Sequence, residues 1–143
     1  VFKFLFKGYF YLQKFDYTKD KAKKAGLQST ALFIAGACKR TLRVSQRTSS
    51  PGNPPFAKTR GGLRIIEAAI YRNGAIIGPV KFPTSNFFDK PVPHIHEFGG
   101  TFYGLTGIWR YPERSYMHRT LKQLQAGNRI NRRFSATMAR LFN

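Results

Sequence analysis

The sequence is poor in acid, nearly empty of cysteine and without a long apolar run, and each shortage excludes something. Across 143 residues there are six Asp plus Glu against twenty-five Lys plus Arg, a formal net charge of +19. Six acids leave few candidate carboxylate pairs for glycosidase-type chemistry. One cysteine, Cys38, excludes an internal disulfide; it sits in a helical pattern and reads as a small buried apolar residue of a reducing compartment. No run reaches the roughly 18 apolar residues of a membrane span, so a soluble protein with no membrane partner is expected. The opening Val1-Phe2-Lys3-Phe4-Leu5-Phe6-Lys7 is too short and too regularly charged for a signal peptide. Neither GxxxxGK[ST] nor GxGxxG occurs, and no serine, cysteine or aspartate stands in a nucleophile motif.

What is present is a basic, aromatic chain of one-domain length, 1–143, with fourteen Phe and seven Tyr, which argues against disorder. Thirteen of the basic residues lie up to Arg60 and twelve after it, so the charge is no appended tail. Such an excess opposes compaction unless a polyanion or an acidic partner compensates it.

Residues 1–15 read as an N-terminal strand arm, with Phe2, Phe4 and Phe6 on one side and Lys3, Leu5 and Lys7 on the other. Asp16 or Thr18 can cap a long helix that runs to about Val44. Its buried stripe is Leu27, Ala31, Ile34 and Cys38, and Lys39, Arg40, Arg43 and Arg47 suit its negative end. A proline-rich arm, 49–62, divides this helical part from a stranded one. Three prolines and three glycines between Pro51 and Arg64 forbid a helix and leave an ordered turn or an extended arm.

Leu63 to Tyr71 and Ala75 to Val80 then form a β-hairpin about Asn73-Gly74. A loop from Lys81 to Pro93 carries Phe82, Phe87 and Phe88. Pro112 to Ala126 reads as a helix, and 129–143 as a basic amphipathic C-terminal helix with Ile130, Phe134, Met138 and Leu141 inward. The class is α+β, with a long N-terminal helix packed on an antiparallel sheet containing a hairpin and a C-terminal helix.

His94-x-His96-Glu97 is the one cluster resembling a metal or acid-base site. On a strand the two histidines would share a face, but zinc needs at least a third protein ligand, which Cys38, His118, Asp89 or Glu97 would have to supply. Surface or interface histidines are the simpler reading, so no catalytic residue, metal or cofactor is assigned. For nucleic acid the signal is charge interleaved with aromatics, without an RNP motif, a GXXG clamp or a zinc knuckle. Lys39, Arg40, Arg43, Arg47, Arg129, Arg132 and Arg133 are the candidate contacts to nucleic acid or an acidic partner.

The order of a basic helix, Ser50-Pro51-Gly52-x-Pro54-Pro55, Gly62-Leu63-Arg64, Ile77-Gly78-Pro79, Val92-Pro93 and His96-Glu97-Phe98-Gly99-Gly100 resembles the tail-completion, or neck, proteins of long-tailed double-stranded DNA bacteriophages. It is similar also to the minor tail protein Z group. Tyr111-Pro112-Glu113-Arg114-Ser115-Tyr116-Met117 continues the pattern, although Ser115 and His118 stand where members often have proline. The resemblance implies a structural, non-enzymatic virion subunit assembled in the host cytoplasm. It would form a ring, typically a hexamer, between a head connector or adaptor and the tail tube or tail terminator, with packaged DNA in the lumen. The expected subunit and partner contacts are Pro54, Pro55, Phe56, Lys58 and Arg60 in the arm, Phe82, Phe87 and Phe88 in the loop, and Glu97, Phe98, Gly99 and Gly100. The alternative is a basic RNA-binding protein of ribosomal type, for which such a charge is ordinary.

Overall fold

The computed structural model describes residues 2–57, 62–71, 74–80, 92–104 and 106–142, with the backbone alone at 2–16, 62, 92, 94, 102, 104 and 142. Helix α1 spans Phe2–Thr41. The strand arm expected at 1–15 is therefore corrected: its described backbone is helical, and Asp16 and Thr18 lie inside the helix rather than capping it. A lone strand needs a neighbour for its backbone groups, whereas a helix satisfies them within itself. No proline occurs before Pro51 to stop the helix from extending upstream.

Two antiparallel hairpins follow. Strands β1 (Ile66–Tyr71) and β2 (Gly74–Pro79) pair with Ile66 opposite Pro79 and Tyr71 opposite Gly74, close to the expected bounds. Helix α2 occupies Val92–Phe98, where the histidine pair suggested a strand; Pro93 suits the first turn of a helix, which lacks intrahelical donors in any case. Strands β3 (Gly100–Gly104) and β4 (Gly107–Tyr111) form the second hairpin, in a separate two-stranded sheet. Helix α3 covers Met117–Ala126, shorter than expected because residues 112–116 stay irregular. Asn128, at φ 52°, turns the chain into helix α4, Arg129–Phe142.

The core gathers Ala35, Cys38 and Leu42 from α1, Ile66 from β1 and Tyr116, with Ile34, Leu63, Ala68, Ile77 and Met117 around it. Thus α1 lies against the β1–β2 sheet on one side. On another side α4 packs on α1 where glycine permits close approach. A Cβ at Gly26 would sit 2.8 Å from the Phe134 ring and 3.2 Å from Met138. Arg133 Nε donates to Ser29 Oγ at 3.0 Å across the same interface.

Of the proline segment residues 49–57 are described, and they form an ordered turn at 51–53 that leads into a bridged stretch. Ala57 bridges back to Val44, donating to the Arg43 carbonyl at 2.8 Å and accepting from Ser45 N at 3.0 Å, and Pro55 and Ala57 are buried.

Candidate functional site

Three stretches far apart in sequence meet at the start of α3. An α-helix leaves its first backbone N–H groups without partners, and a capping side chain at the residue before the helix commonly accepts from one. Tyr116 holds that position and makes no side-chain cap, and α3 has no acidic residue in its first turn. Glu97, at the end of α2, supplies the missing acceptor. Its Oε2 accepts from the backbone N–H of Tyr116 and Met117, both at 3.1 Å. Its Oε1 accepts from His118 N at 2.6 Å and from the Ser115 hydroxyl at 2.7 Å. A carboxylate at the positive end of a helix dipole is well placed electrostatically. Burial alone would raise the Glu97 pKa, but the His118, Ser115, Tyr116 and Met117 donors outweigh it and hold the group below its ordinary value.

The chain leaves α2 through Gly99, whose φ of +66° favours glycine. A Cβ there would stand 2.8 Å from the Tyr111 carbonyl oxygen and 2.9 Å from Glu113 N. Gly99 N donates to the Ile95 carbonyl and Arg114 N to the His96 carbonyl, each at 2.8 Å, so both ends of the β3–β4 hairpin are tied to α2.

His96 completes the junction. Arg114 Nη1 donates to the Tyr111 hydroxyl oxygen at 2.8 Å, and its guanidinium lies 5.0 Å from the centre of the Tyr111 ring. The Tyr111 hydroxyl is 2.9 Å from His96 Nδ1. With Arg114 as donor to its oxygen, the tyrosine gives its own proton to Nδ1, which assigns the neutral imidazole its hydrogen on Nε2. Burial, then the Arg114 charge, lowers the His96 pKa to about 4, consistent with that acceptor role.

The proline turn closes over the same place. Gly52 N donates to the Glu113 carbonyl at 3.2 Å, and Arg119 Nη1 donates to the Gly52 carbonyl at 3.3 Å. Between turn and helix lies a cleft of about 470 Å³ lined by Gly52, Glu113, Ser115, His118, Arg119, Lys122 and Gln123.

The carboxylate of the junction is saturated, whereas Arg114 Nε and the Tyr116 hydroxyl are buried without a hydrogen-bond partner among the described residues. The Ser115 hydroxyl donates to Glu97, but that carboxylate already accepts four hydrogen bonds and its pKa is lowered, which makes it a poor base toward the hydroxyl. Burial, and next the Glu97 charge, raises the Cys38 thiol to about 11; the same two causes, with Cys38 added, raise the Tyr116 phenol. Both are core groups rather than nucleophiles. Among the described residues no three His, Cys, Asp or Glu gather in a way that could hold a metal ion. A helix at 92–98 also removes the strand geometry on which a shared histidine face depended.

The expected contact residues divide. Glu97 and Gly99 are in the junction, and Gly100 opens β3. Phe98 is exposed. Pro54 and Phe56 are half-buried beside the buried Pro55, against their own chain. Lys58, Arg60, Phe82, Phe87 and Phe88 lie outside the described residues. Of the basic candidates, Lys39 is half-buried and Arg40 exposed at the end of α1, Arg43 and Arg47 are exposed beyond it, and Arg129, Arg132 and Arg133 are exposed on α4.

Sequence reasoning missed the roles of Ser115, Tyr111 and Arg114, and it missed the second hairpin. That hairpin turns apolar side chains to solvent: Tyr103 and Ile108, directly opposite each other, are 80% and 66% exposed, and Trp109 is exposed too. Among the described residues no helix is long and apolar enough to cross a membrane. Compared with protein-family models, curated proteins and solved structures, the chain has no significant match in any of the three.

Proposed function

We propose that this protein is a structural subunit of a bacteriophage neck, forming a ring that completes the tail end and joins it to the head connector. The observation that carries the reading is the β3–β4 hairpin. Its exposed Tyr103–Ile108 pair stands on a buried, carboxylate-locked base built from the residues that bear the resemblance, Gly52, Glu97, Gly99 and Tyr111 to Met117. Apolar side chains paired on the surface of a firmly held hairpin are what a subunit contact uses, and a carboxylate already engaged by four donors suits assembly rather than turnover. In a ring each copy offers a neighbour two different surfaces, and the hairpin is one of them.

Native mass spectrometry of the nuclease-treated protein across a salt series tests this, with the head connector added if the chain alone stays monomeric. The expected result is a discrete, salt-resistant ring that Tyr103→Ser with Ile108→Ser abolishes, while the melting temperature of the monomer changes little. A monomer with or without the connector, carrying RNA until high salt, would instead support the RNA-binding alternative.

A further inference from the structure

We infer that the outer face of α3 and α4, continued onto the end of α1, is a binding track for the phosphate backbone of duplex DNA. The inference does not depend on the neck assignment. At ~100° per residue, Arg129, Arg132, Arg133 and Arg140 fall within a sector of roughly 100°, and Ile130, Phe134 and Met138 lie about 150° round the helix. Phe134 and Met138 face α1 at Gly26, so the arginine stripe is turned away from the packed side, with Arg133 at its edge against Ser29. Arg129, Arg132 and Arg140 are exposed.

Two concavities join this stripe to its neighbours. A cleft of about 320 Å³ brings Arg129 together with Arg40 of α1 and Gln123 of α3. Gln123 also lines the 470 Å³ cleft that holds Arg119 and Lys122. Arg40, Arg119, Lys122 and Arg129 thus border two clefts that share Gln123, and Arg132 and Arg140 extend the line along α4.

Acids are sparse around them. From Arg114 to Asn143 the sequence contains no Asp or Glu, and between Asp20 and Glu67 there is none either. Glu97 is buried as the α3 cap, Glu113 lines the larger cleft, and Asp20 stands on α1 toward the Arg140 end, so the cations outnumber the acids along the track.

The track suits duplex better than single strands because, among the described residues, the one Phe, Tyr or Trp ring lining its clefts, Phe33, is half-buried rather than offered to solvent. Single-stranded binders interleave charge with exposed aromatic rings. Among the described residues the exposed rings Tyr71, Phe98, Tyr103 and Trp109 are on α2 and the hairpins, and Tyr17 is on α1, N-terminal to the Gly26 crossing. Arginine is suited to phosphate oxygens, and duplex DNA presents one charge per ~1.7 Å of axis without exposing its base faces. From Arg129 to Arg140 the helix rises roughly 16 Å, a length carrying on the order of ten phosphates.

The test is fluorescence anisotropy of a labelled 20-base-pair duplex with the nuclease-treated full chain, titrated from low to high salt. Arg132→Ala with Arg140→Ala should weaken binding roughly 10- to 100-fold at 0.1 M salt and flatten the slope of log K against log salt by about 0.9 for each arginine. Arg132→Lys with Arg140→Lys should retain most of the affinity. Lys24→Ala with Arg110→Ala removes the same charge from the opposite face of α1 and from β4, and should change binding far less.

An equal loss in that control pair would mean that net charge alone attracts DNA, and would overturn the track. Tighter binding of the matching single strand would overturn the duplex assignment. Competition by polyglutamate as effective as that by unlabelled duplex would assign the surface to an acidic protein instead.

Discussion

The two ends of α3 use charge in opposite ways. At its N-terminus a single carboxylate is buried and accepts four hydrogen bonds, one of them from Ser115, and His96, Tyr111 and Arg114 Nη1 are linked in a chain beside it. Toward its C-terminus and along α4, arginines and a lysine stand exposed with no acid on either helix. A charge that fixes a fold is enclosed and matched; a charge kept for a partner is left facing solvent. The contrast locates stability at one end and the proposed recognition surface at the other, and it can be broken at either.

The largest effect is expected from Glu97→Ala. It leaves three backbone N–H groups and the Ser115 hydroxyl without their acceptor, next to the buried Tyr116 that anchors the core. Losing a buried charged partner of this kind costs roughly 3–5 kcal/mol, read as a lower urea midpoint. Glu97→Gln keeps one acceptor oxygen and should cost less. An alanine variant as stable as the parent would show that α3 needs no cap from α2.

Next in size is Gly99→Ala, at about 2–3 kcal/mol. The new methyl combines a left-handed backbone with contacts at 2.8 and 2.9 Å to backbone atoms of residues 111 and 113, which cannot swing aside as a side-chain end can. At Gly100, where a Cβ meets nothing within 4 Å, the same change should be mild, and the difference between the two variants is the measurement. Equal losses would mean that hairpin flexibility matters rather than the close approach at residue 99.

How much of this was legible in the sequence depended on period and on distance. The second half of α1, the β1–β2 hairpin and α4 follow long or well-marked patterns, and the structure has all three. The alternation of Phe and Lys over residues 2–7 satisfies a period of two and misled the reading, because so short a run is also compatible with a helix that no residue stops. The β3–β4 hairpin escaped notice since Thr101 to Tyr111 carries no Asn-Gly or Asp-Gly turn.

The junction was visible only in pieces. His96-Glu97-Phe98-Gly99-Gly100 and Tyr111 to Met117 were both picked out, but some twenty residues separate the carboxylate from its donors, and only folding brings them together. One trace was available. A helix beginning after Tyr116 with no acid and no good capping residue at that position must find its acceptor elsewhere.

The smallest effect is the one that sharpens the contrast most, because it uses pH to address one end of α3 alone. His96 has a folded pKa of about 4, against 6.5 when exposed. Between those values the unfolded chain takes up a proton at this residue and the folded chain does not. The contribution of neutral His96 is therefore complete above pH 6.5 and declines as pH falls toward 4, with a slope of at most about 1.4 kcal/mol per unit. Glu97, whose pKa is lowered, adds its own loss only below the ordinary carboxylate range, as pH falls through the folded value.

His96→Asn offers the Tyr111 hydroxyl an acceptor that does not titrate, so its urea midpoint should vary less than that of the parent between pH 7 and 5. A parent and variant with parallel pH profiles would rule out the buried neutral imidazole. Arginine charge is constant over this range. Acid should therefore loosen the Glu97 end while the arginine charge along α4 stays the same.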